Sequence, residues 1–285
     1  MPNINGKTKQ LGIIGYPVEH SFSPQMHNFI SEYMNADYTY SAWCVSPDRL
    51  KAAIDGMRAL GIAGINVTAP HKFEVMKYID EVSDDAKILG SVNTVVNHDG
   101  RLCGYNTDAD GFYKSLADDG IAVNNKRILI IGAGGVVKPT LVRLIRENPK
   151  SVTIVNRTKS KAKALAYQIK SDTGFDVETD VKYSDFDIVI NTTSAGMEPQ
   201  VNALPIDEID EFDDFSFINE NTAAIDMIYN PDETLFLREA KKRGAKTMNG
   251  LNMLINQGII AYELFTGIKL PDNLYKIIKK EVFNR

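Results

Sequence analysis

The sequence predicts an α/β protein of two domains, one of them built on a doubly wound parallel sheet. Apolar runs typical of buried strands alternate with amphipathic helix patterns along most of the chain, as expected for βαβ units. A glycine turn, GAGG at 132–135, follows one of these runs directly and precedes a helix pattern. With 285 residues the chain is long enough for two domains, each with its own core.

The first half is predicted to be an α/β domain. The predicted strands cover 11–15, 38–45, 64–68, and a pair at 91–96 and 101–106 around the turn NHDG. The predicted helices cover 26–35, 47–60, 72–80 and 110–119. Pro47 suits a helix start, where its missing N–H leaves no hydrogen bond unmade.

From Lys126 onward, continuous apolar runs joined by helix patterns predict a parallel sheet. The predicted strands cover 127–132, 151–157, 186–193 and 223–229, and the predicted helices cover 140–148 and 159–171. After residue 250 the pattern is helical, and these helices are expected to pack back on the first half. We therefore assign residues 1–108 and 245–285 to one domain, and residues 109–244 to a second domain inserted into it.

Composition and charge exclude several classes of protein. The formal net charge of -5 argues against a nucleic-acid binder, which normally carries a basic face. No apolar stretch approaches the length of a membrane span, and the start, MPNINGKTKQ, lacks the features of a signal peptide. Cys44, Cys103 and the four histidines are not spaced as metal ligands. We therefore expect two plain buried thiols, no metal and a cytoplasmic protein.

The glycine turn between a strand and a helix predicts a site for a dinucleotide. Glycines let the backbone approach a pyrophosphate, and the helix N-terminus offers free N–H groups and partial positive charge. Two residues fit the pattern poorly. Val137 stands where helix and sheet usually pack through a small residue, and Pro139 should push Lys138 away from helical geometry and distort the turn.

The end of the second strand of this domain distinguishes between the two dinucleotides. An NAD site has an acidic residue there to bind the ribose 2′-hydroxyl. This strand ends instead in Asn156-Arg157-Thr158, with Lys159 and Lys161 following. Arg157 can bind a 2′-phosphate, so NADP(H) is favoured. The alternative is that these are solvated residues that open a helix.

Four polar clusters accompany the strands of the first half, and we interpret each as following a strand. They are HSFSP (20–24), NVTAPHK (66–72), SVNTV (91–95) and YNTDADG (105–111). Ser21 and Ser23 suit either a carboxylate ligand or a helix cap. Considered alone, Lys72 would be a solvated surface lysine and Asp108 an N-cap.

Together, HSFSP, NVTAPHK, SVNT, YNTD, GAGG, NRT, NTTSAGM and GLNMLINQG resemble the shikimate dehydrogenase family, in one order through most of the chain. The resemblance implies an N-terminal α/β substrate domain, a Rossmann-type NADP-binding domain and a cleft between them. It implies NADPH-dependent reduction of 3-dehydroshikimate to shikimate in aromatic amino-acid biosynthesis. We expect a monomer or homodimer whose partners are small molecules, with no nucleic-acid or membrane partner.

The resemblance also implies roles for individual residues. Lys72 and Asp108 match the catalytic pair. The substrate-binding positions are Ser21, Ser23, Thr68, Asn93, Tyr229 and Gln257. The cofactor-binding positions are Gly132, Ala133, Gly134, Gly135, Val136, Asn156, Arg157, Thr158, Lys159, Ser160, Lys161, Met227, Gly250 and Asp84. Val136, Val137 and Pro139 depart from the family pattern, and they bear on cofactor affinity rather than on the substrate pocket.

This pair suits the reduction of a ketone. Hydride delivery builds negative charge on the carbonyl oxygen, which an ammonium can neutralise and protonate while a carboxylate orients it. A lysine ammonium is charged at neutral pH, so Lys72 is expected to be the acid. In the oxidation direction it must first lose its proton, which predicts faster oxidation at alkaline pH.

Two other functions remain open at this point. One is a quinate/shikimate dehydrogenase that uses NAD(H) or both cofactors. The other is a dinucleotide-binding regulator without catalysis, which Val137 and Pro139 favour and the retained Lys72, Asp108 and Gln257 oppose.

Overall fold

The structure is a computed structural model that describes residues 4–181, 185–207, 209, 212 and 214–284. The chain divides into two compact units. The first comprises Met1–Gly111 with Leu254–Arg285, and the second comprises Phe112–Met253. Both junctions fall inside continuous helices, Asp108–Asp118 and Leu251–Thr266. The junctions expected from sequence follow residues 108 and 244, so each lies N-terminal to the junction in the structure.

Strands and helices alternate along both units. In chain order the elements are β1 Lys9–Gly15, α1 Ser23–Tyr33, β2 Tyr38–Cys44, α2 Leu50–Ala59, β3 Gly64–Val67, β4 Glu81–Val82, α3 Asp84–Leu89, β5 Thr94–His98, β6 Arg101–Tyr105, α4 Asp108–Asp118, β7 Arg127–Ile131, α5 Val137–Ile145, β8 Ser151–Val155, α6 Lys159–Thr173, β9 Ile188–Asn191, β10 Ala223–Asp226, α7 Leu235–Lys242, β11 Lys246–Met248, α8 Leu251–Thr266 and α9 Leu274–Glu281. Short 3-10 helices cover Pro47–Arg49 and Glu74–Lys77.

The first unit contains a six-stranded mixed sheet with the order β2-β1-β3-β5-β6-β4. Strand β1 pairs in parallel with β2 and β3, while β5 is antiparallel to both β3 and β6. The carboxyl ends of β1, β3 and β6 therefore share one edge with the amino end of β5. All four polar clusters of the sequence lie at this edge. The cluster SVNTV is a correction to the sequence interpretation, because it leads into and forms the start of β5 instead of following a strand, and it reaches this edge only through the antiparallel pairing.

The second unit contains a five-stranded sheet, β11-β10-β9-β7-β8, in which every described pair of strands is parallel. The strands β7, β8, β9 and β10 are buried along almost their whole length, as in a sheet covered on both faces. The predicted doubly wound sheet and the α/β fold class are therefore confirmed.

Two local expectations were wrong. The helix expected at 72–80 is only a 3-10 helix at Glu74–Lys77. The helix expected at 140–148 is α5, which begins at Val137, so Pro139 is its third residue and Lys138 is helical. N–H groups in a first helical turn have no intrahelical acceptor, so a proline at this position breaks no hydrogen bond. The glycine turn and the start of α5 are thus compatible with both Val137 and Pro139, and Val137 is fully buried.

Among the described residues, no helix is both long enough and apolar enough to span a bilayer.

Candidate active site

Lys72 and Asp108 form an ion pair at the polar edge of the first sheet. Nζ of Lys72 donates a hydrogen bond of 2.6 Å to Oδ2 of Asp108. The two side chains are 31% and 21% exposed, so a ligand can reach both groups. A lysine ammonium has three donors, and this bond uses one of them while fixing the direction of the others.

The backbone on either side of the pair is tied to the segment just before β5. The carbonyl of Lys72 accepts from the N–H of Val92 over 2.8 Å. Asp108 is the first residue of α4, and its N–H donates to Oδ1 of Asn106 over 3.1 Å. The amide of Asn106 donates in turn to Oγ of Ser91 over 2.8 Å. Because both backbones are anchored to adjacent residues, the separation of the two charged groups is fixed.

Asn93 is the centre of a buried hydrogen-bond network that joins β3, β5 and the start of α4. Its Oδ1 accepts from the N–H of Thr107 over 2.8 Å and from Oγ1 of Thr94 over 2.9 Å. Its Nδ2 donates to Oγ1 of Thr107 over 3.0 Å, and Asn66 donates to Oγ1 of Thr94 over 3.1 Å. All four side chains are almost inaccessible to solvent. Asn93 therefore positions the residue before Asp108, whatever it contributes to substrate binding.

The two predicted carboxylate-binding serines lie at the start of α1. Oγ of Ser21 accepts from the N–H of Ser23 over 3.2 Å, which is a local turn bond and not a helix cap, since the N-cap of α1 is Phe22, and Ser21 is half-buried. Ser23 is buried. The phenol of Tyr40 donates to Oδ1 of Asn66 over 2.7 Å, and burial raises the pKa of Tyr40 well above its ordinary value, so this phenol keeps its proton. Tyr40 thus joins the network around Asn93.

Thr68 and Gln257 are supplied by distant parts of the first unit. Thr68 follows β3 directly and is half-buried. Gln257 lies on α8, is 9% exposed and donates to the carbonyl of Leu254 over 2.8 Å. A Cβ on Gly111 would lie 2.6 Å from the backbone nitrogen of Gln257, so only glycine allows α4 and α8 to approach this closely. Since Gly111 is one turn beyond Asp108, Gln257 packs on the helix that carries the carboxylate.

In the second unit, a cavity of about 710 Å³ opens at the carboxyl edge of the sheet. Its size is typical of a site for a small ligand. The residues around it from the strand ends are Gly132, Ala133, Gly134, Asn156, Arg157, Lys161, Thr192, Thr193, Ser194 and Ala195. Carboxyl ends of parallel strands are where ligands bind in open α/β sheets.

The glycine turn forms one wall of this cavity. Gly132 has φ +115°, and a Cβ there would collide with the side chain of Thr192. No atom lies within 4 Å of a Cβ built on Gly134, so the space beside the turn is open. The N–H of Gly132 donates to the carbonyl of Val155 over 2.8 Å, which ties the turn to β8. Helix α5 begins at Val137, and its first N–H groups and positive dipole end favour an anion.

Basic side chains line the other wall. Arg157 and Lys161 are both exposed and border the cavity, and Asp207 borders it as well. The carboxylate of Asp207 accepts from the N–H of Leu204 over 2.7 Å. Of the predicted cofactor residues that follow β7 and β8, five do not line this cavity and lie at the exposed starts of α5 and α6: Gly135, Val136, Thr158, Lys159 and Ser160.

Met227 and Tyr229 follow β10, and Gly250, which follows β11, lies against the same segment. The N–H of Gly250 donates to the carbonyl of Ile228 over 3.0 Å, and a Cβ on Gly250 would collide with the carbonyl of Met227. Tyr229 is half-buried, and burial raises the pKa of its phenol. These three residues form a compact group in the second unit, although none of them borders the cavity of about 710 Å³.

Asp84 is the one predicted cofactor residue in the first unit. It is the first residue of α3, is 94% exposed and pairs with Lys87 over 3.0 Å. Its role in binding the cofactor stays a prediction.

Comparison with known proteins places the chain in a family. Residues 13–95 match the model for the shikimate dehydrogenase substrate binding domain, residues 115–211 that for shikimate / quinate 5-dehydrogenase, and residues 250–283 that for the shikimate 5'-dehydrogenase C-terminal domain. The shikimate dehydrogenase (NADP(+)) of Methanocaldococcus jannaschii is 44% identical over 273 residues, covering 93% of this chain and 94% of that protein. The chain belongs to the shikimate dehydrogenase family.

Solved structures of the family agree with the fold. A shikimate dehydrogenase in complex with NADP+ superposes with a TM-score of 0.89 at 42% identity, covering 99% of this chain and 96% of that one. The quinate dehydrogenase of Corynebacterium glutamicum, in complex with NAD, superposes with a TM-score of 0.85 at 29% identity, covering 97% and 99%. The resemblance predicted from the motifs is thereby confirmed.

Sequence reasoning missed several residues that build these sites in this family member. Asn106 lies within the quoted cluster YNTDADG, and its spacing two residues before a helix start is a recognisable cap signal. Thr192, Thr193 and Ser194 lie in the quoted motif NTTSAGM, directly after a parallel strand. Asn66 lies in the quoted cluster NVTAPHK, but its hydrogen bond with Tyr40 carried no signal, because it joins two strands that are distant in the chain.

Proposed function

We propose that the protein catalyses the reversible, NADP(H)-dependent interconversion of 3-dehydroshikimate and shikimate. The relatives named above as NADP-dependent shikimate dehydrogenases support this. The observation that carries the proposal is the 2.6 Å ion pair of Lys72 and Asp108, which fixes the direction of the ammonium. The same unit also supplies other predicted substrate-binding side chains: Ser21, Ser23, Thr68 and Gln257.

Lys72 is the proposed acid and base. When bound, the reduced nicotinamide supplies the hydride. As the carbonyl oxygen gains negative charge, the Lys72 ammonium stabilises it and then transfers a proton to it. Asp108 holds the ammonium in place and accepts a hydrogen bond from a substrate hydroxyl. In the reverse direction, neutral Lys72 removes the proton from the alcohol.

The remaining polar residues of the first unit are proposed to recognise the substrate. Ser21 and Ser23 would donate to its carboxylate, and the half-buried Ser21 is the more open of the two. Thr68, Asn93 and Gln257 would bind its ring hydroxyls and neighbouring groups. Tyr229 would help to close the site. With this unit holding substrate, we propose residues 1–108 and 245–285 as the substrate domain and 109–244 as the cofactor domain.

The second unit fits NADP(H). The left-handed glycine turn and the open space at Gly134 suit a pyrophosphate, and no side chain at 156–161 is acidic. Arg157 and Lys161 would hold the 2′-phosphate of the adenosine ribose. Met227 and Gly250 would lie against the cofactor, as would the other predicted positions after β7 and β8. Asp84 would contribute a weaker contact.

A quinate/shikimate dehydrogenase that also uses NAD(H) is the second candidate function. The similarity to a quinate dehydrogenase solved with NAD favours it. Against it stand the paired serines Ser21 and Ser23 and the sequence Asn156-Arg157-Thr158 at the end of β8.

We further propose that the protein acts in the cytoplasm as a monomer or homodimer. The two free cysteines support a reducing compartment, because they are not joined in a disulfide. Cys103 is buried as expected, whereas Cys44 is exposed, so the expectation of two buried thiols was wrong for Cys44.

One assay tests these functions together. Purified protein is mixed with shikimate or quinate and with NADP+ or NAD+, and the absorbance of the reduced nicotinamide is followed. We expect kcat/KM for shikimate with NADP+ to exceed each other pairing by at least about tenfold. Comparable values with quinate and NAD+ would establish the second candidate. Cofactor binding without turnover in any pairing would mean a regulator instead.

A further inference from the structure

Asp226 is a buried carboxylate that the proposed chemistry does not use. It is the last residue of β10, and its side chain is inaccessible to solvent. It accepts hydrogen bonds from Oγ1 of Thr234 over 2.6 Å, from the N–H of Ile228 over 3.0 Å and from Nδ2 of Asn191 over 3.1 Å. All three donors are neutral. Because a buried charge without a cationic partner costs folding free energy, packing alone does not explain a carboxylate here.

The bond to Asn191 determines which end of that amide faces Thr193. Asn191 lies directly opposite Asp226 in the parallel pair of β9 and β10. An ionised carboxylate only accepts hydrogen bonds, so it selects the NH2 end of the amide and turns Oδ1 the other way. Oδ1 then accepts from the N–H and the hydroxyl of Thr193 over 2.9 and 2.7 Å. The hydroxyl of Thr193 accepts in turn from the N–H of Ala195 over 3.2 Å.

The same carboxylate also fixes the segment after β10. It accepts from the N–H of Ile228, while the N–H of Met227 donates to the carbonyl of Asn191 over 3.0 Å. The loop 192–195 borders the cavity, and Met227 is among the predicted cofactor contacts. The buried carboxylate of Asp226 thus connects the ends of β9 and β10 at the carboxyl edge of the sheet, where the cavity lies.

We propose that Asp226 is a positioning residue for the cofactor, which orients the amide of Asn191 and thereby holds residues 192–195 in their binding conformation. This rests on the proposed function, because it takes the cavity to be a dinucleotide site. An asparagine at position 226 would present donors as well as an acceptor, so it would no longer select one orientation of Asn191. The loop would then populate conformations that bind the nucleotide less well.

The test uses the full-length variant Asp226→Asn. NADPH binding is measured by its fluorescence without substrate, and KM and kcat are then measured with shikimate and NADP+. We expect the Kd for NADPH and the KM for NADP+ to rise about tenfold. We expect kcat at saturating cofactor to stay within about threefold, because Asp226 touches no reacting atom.

Asp187→Asn is the matched control. Asp187 precedes β9, at the opposite edge of the same sheet, and its carboxylate accepts from Lys126 over 2.9 Å and from the N–H of Arg127 over 2.8 Å. Its loss should lower the unfolding temperature and leave the Kd for NADPH unchanged.

A second variant, Asn191→Ala, breaks the same bond from the other strand and carries the test if Asp226→Asn does not fold. It should also raise the Kd about tenfold, and the double variant should bind no more than about twofold more weakly than the weaker single variant. A folded variant whose Kd stays within twofold of wild type overturns the proposal, as does an equal loss in Asp187→Asn. Wild-type protein that binds no NADPH would refute the proposed function itself.

Discussion

The ammonium of Lys72 and the carboxylate of Asp108 meet over 2.6 Å although they are 36 positions apart in the chain. The contact depends on the antiparallel pairing of β5 with β3 and β6, which returns the chain to the edge where β3 ends. Hydrogen bonds from Val92 to Lys72 and from Asp108 to Asn106 then fix both backbones. A lysine at a strand end becomes a directed proton donor through this arrangement.

Replacing Lys72 with alanine tests the proton-transfer role. We expect kcat for shikimate oxidation to fall by about 10²–10⁴, the usual contribution of general acid–base catalysis, with little change in KM. Lys51→Ala is the control, because Lys51 forms an ion pair of the same 2.6 Å length with Asp55 on the exposed face of α2. If Lys72→Ala retains kcat within a few-fold of wild type, another group supplies the proton.

Asp108→Asn separates a catalytic role from a helix-terminus role. The variant keeps the shape of the side chain but loses the charge that orients Lys72, so kcat should fall by about tenfold or more. Asp110→Asn removes a carboxylate from the same first turn of α4, where acidic groups favour the helix dipole. Equal kinetic losses in the two variants would assign Asp108 to helix stabilisation alone, and circular dichroism would report any loss of helix.

Arg157→Ala tests the choice of cofactor. Loss of the guanidinium should raise KM for NADP+ by about tenfold or more and leave KM for NAD+ unchanged, since only NADP+ carries the 2′-phosphate. Lys163→Ala is the control, because Lys163 is exposed on the same helix, α6, but does not border the cavity. An unchanged ratio of kcat/KM for the two cofactors would assign the 2′-phosphate to other residues.

Strand runs and the glycine turn were predictable because their signals are local. The run RILII became β7, and the glycines directly after it form the turn that the pattern requires. Helix α3 was missed although its signal is present: Ser83 caps it by accepting from the N–H of Ala86 over 3.3 Å, and two aspartates follow. Thr234 caps α7 in the same way, which was also missed.

Long-range relations could not be predicted from the chain. The sequence indicates that Asn93 is polar and near a strand, but its burial and its bonds to Thr107 depend on the pairing of β5 with β6. Asp226 and Asn191 are likewise 35 positions apart, and only the register of β9 with β10 brings them opposite each other. Roles that depend on such contacts require a structure.

The buried carboxyl of Asp226 also leads to a prediction about how the free energy of unfolding depends on pH. Burial raises the pKa of its carboxyl from 3.8 to about 6, against the hydrogen bonds from Thr234, Ile228 and Asn191 that lower it. Between about pH 4 and pH 6 the folded protein therefore holds this proton more tightly than the unfolded chain does. The stabilisation is complete below the unfolded pKa and is lost as the pH rises through about 6, and it amounts to about 3 kcal/mol.

The difference between wild type and Asp226→Asn isolates this contribution, because the other titrating groups are common to both. Urea unfolding at pH 4, 5, 6 and 7, followed by circular dichroism, should show the variant gaining stability relative to wild type as the pH rises. For Asp187→Asn the difference from wild type should stay nearly constant over this range, because the pKa of Asp187 is lowered from 3.8 and its contribution is lost only at lower pH. Burial alone would raise the pKa of Asp187, but hydrogen bonds from Arg127 and Lys126 outweigh it and lower the pKa. If the difference in unfolding free energy between wild type and Asp226→Asn does not change with pH across this range, the buried carboxyl does not titrate there.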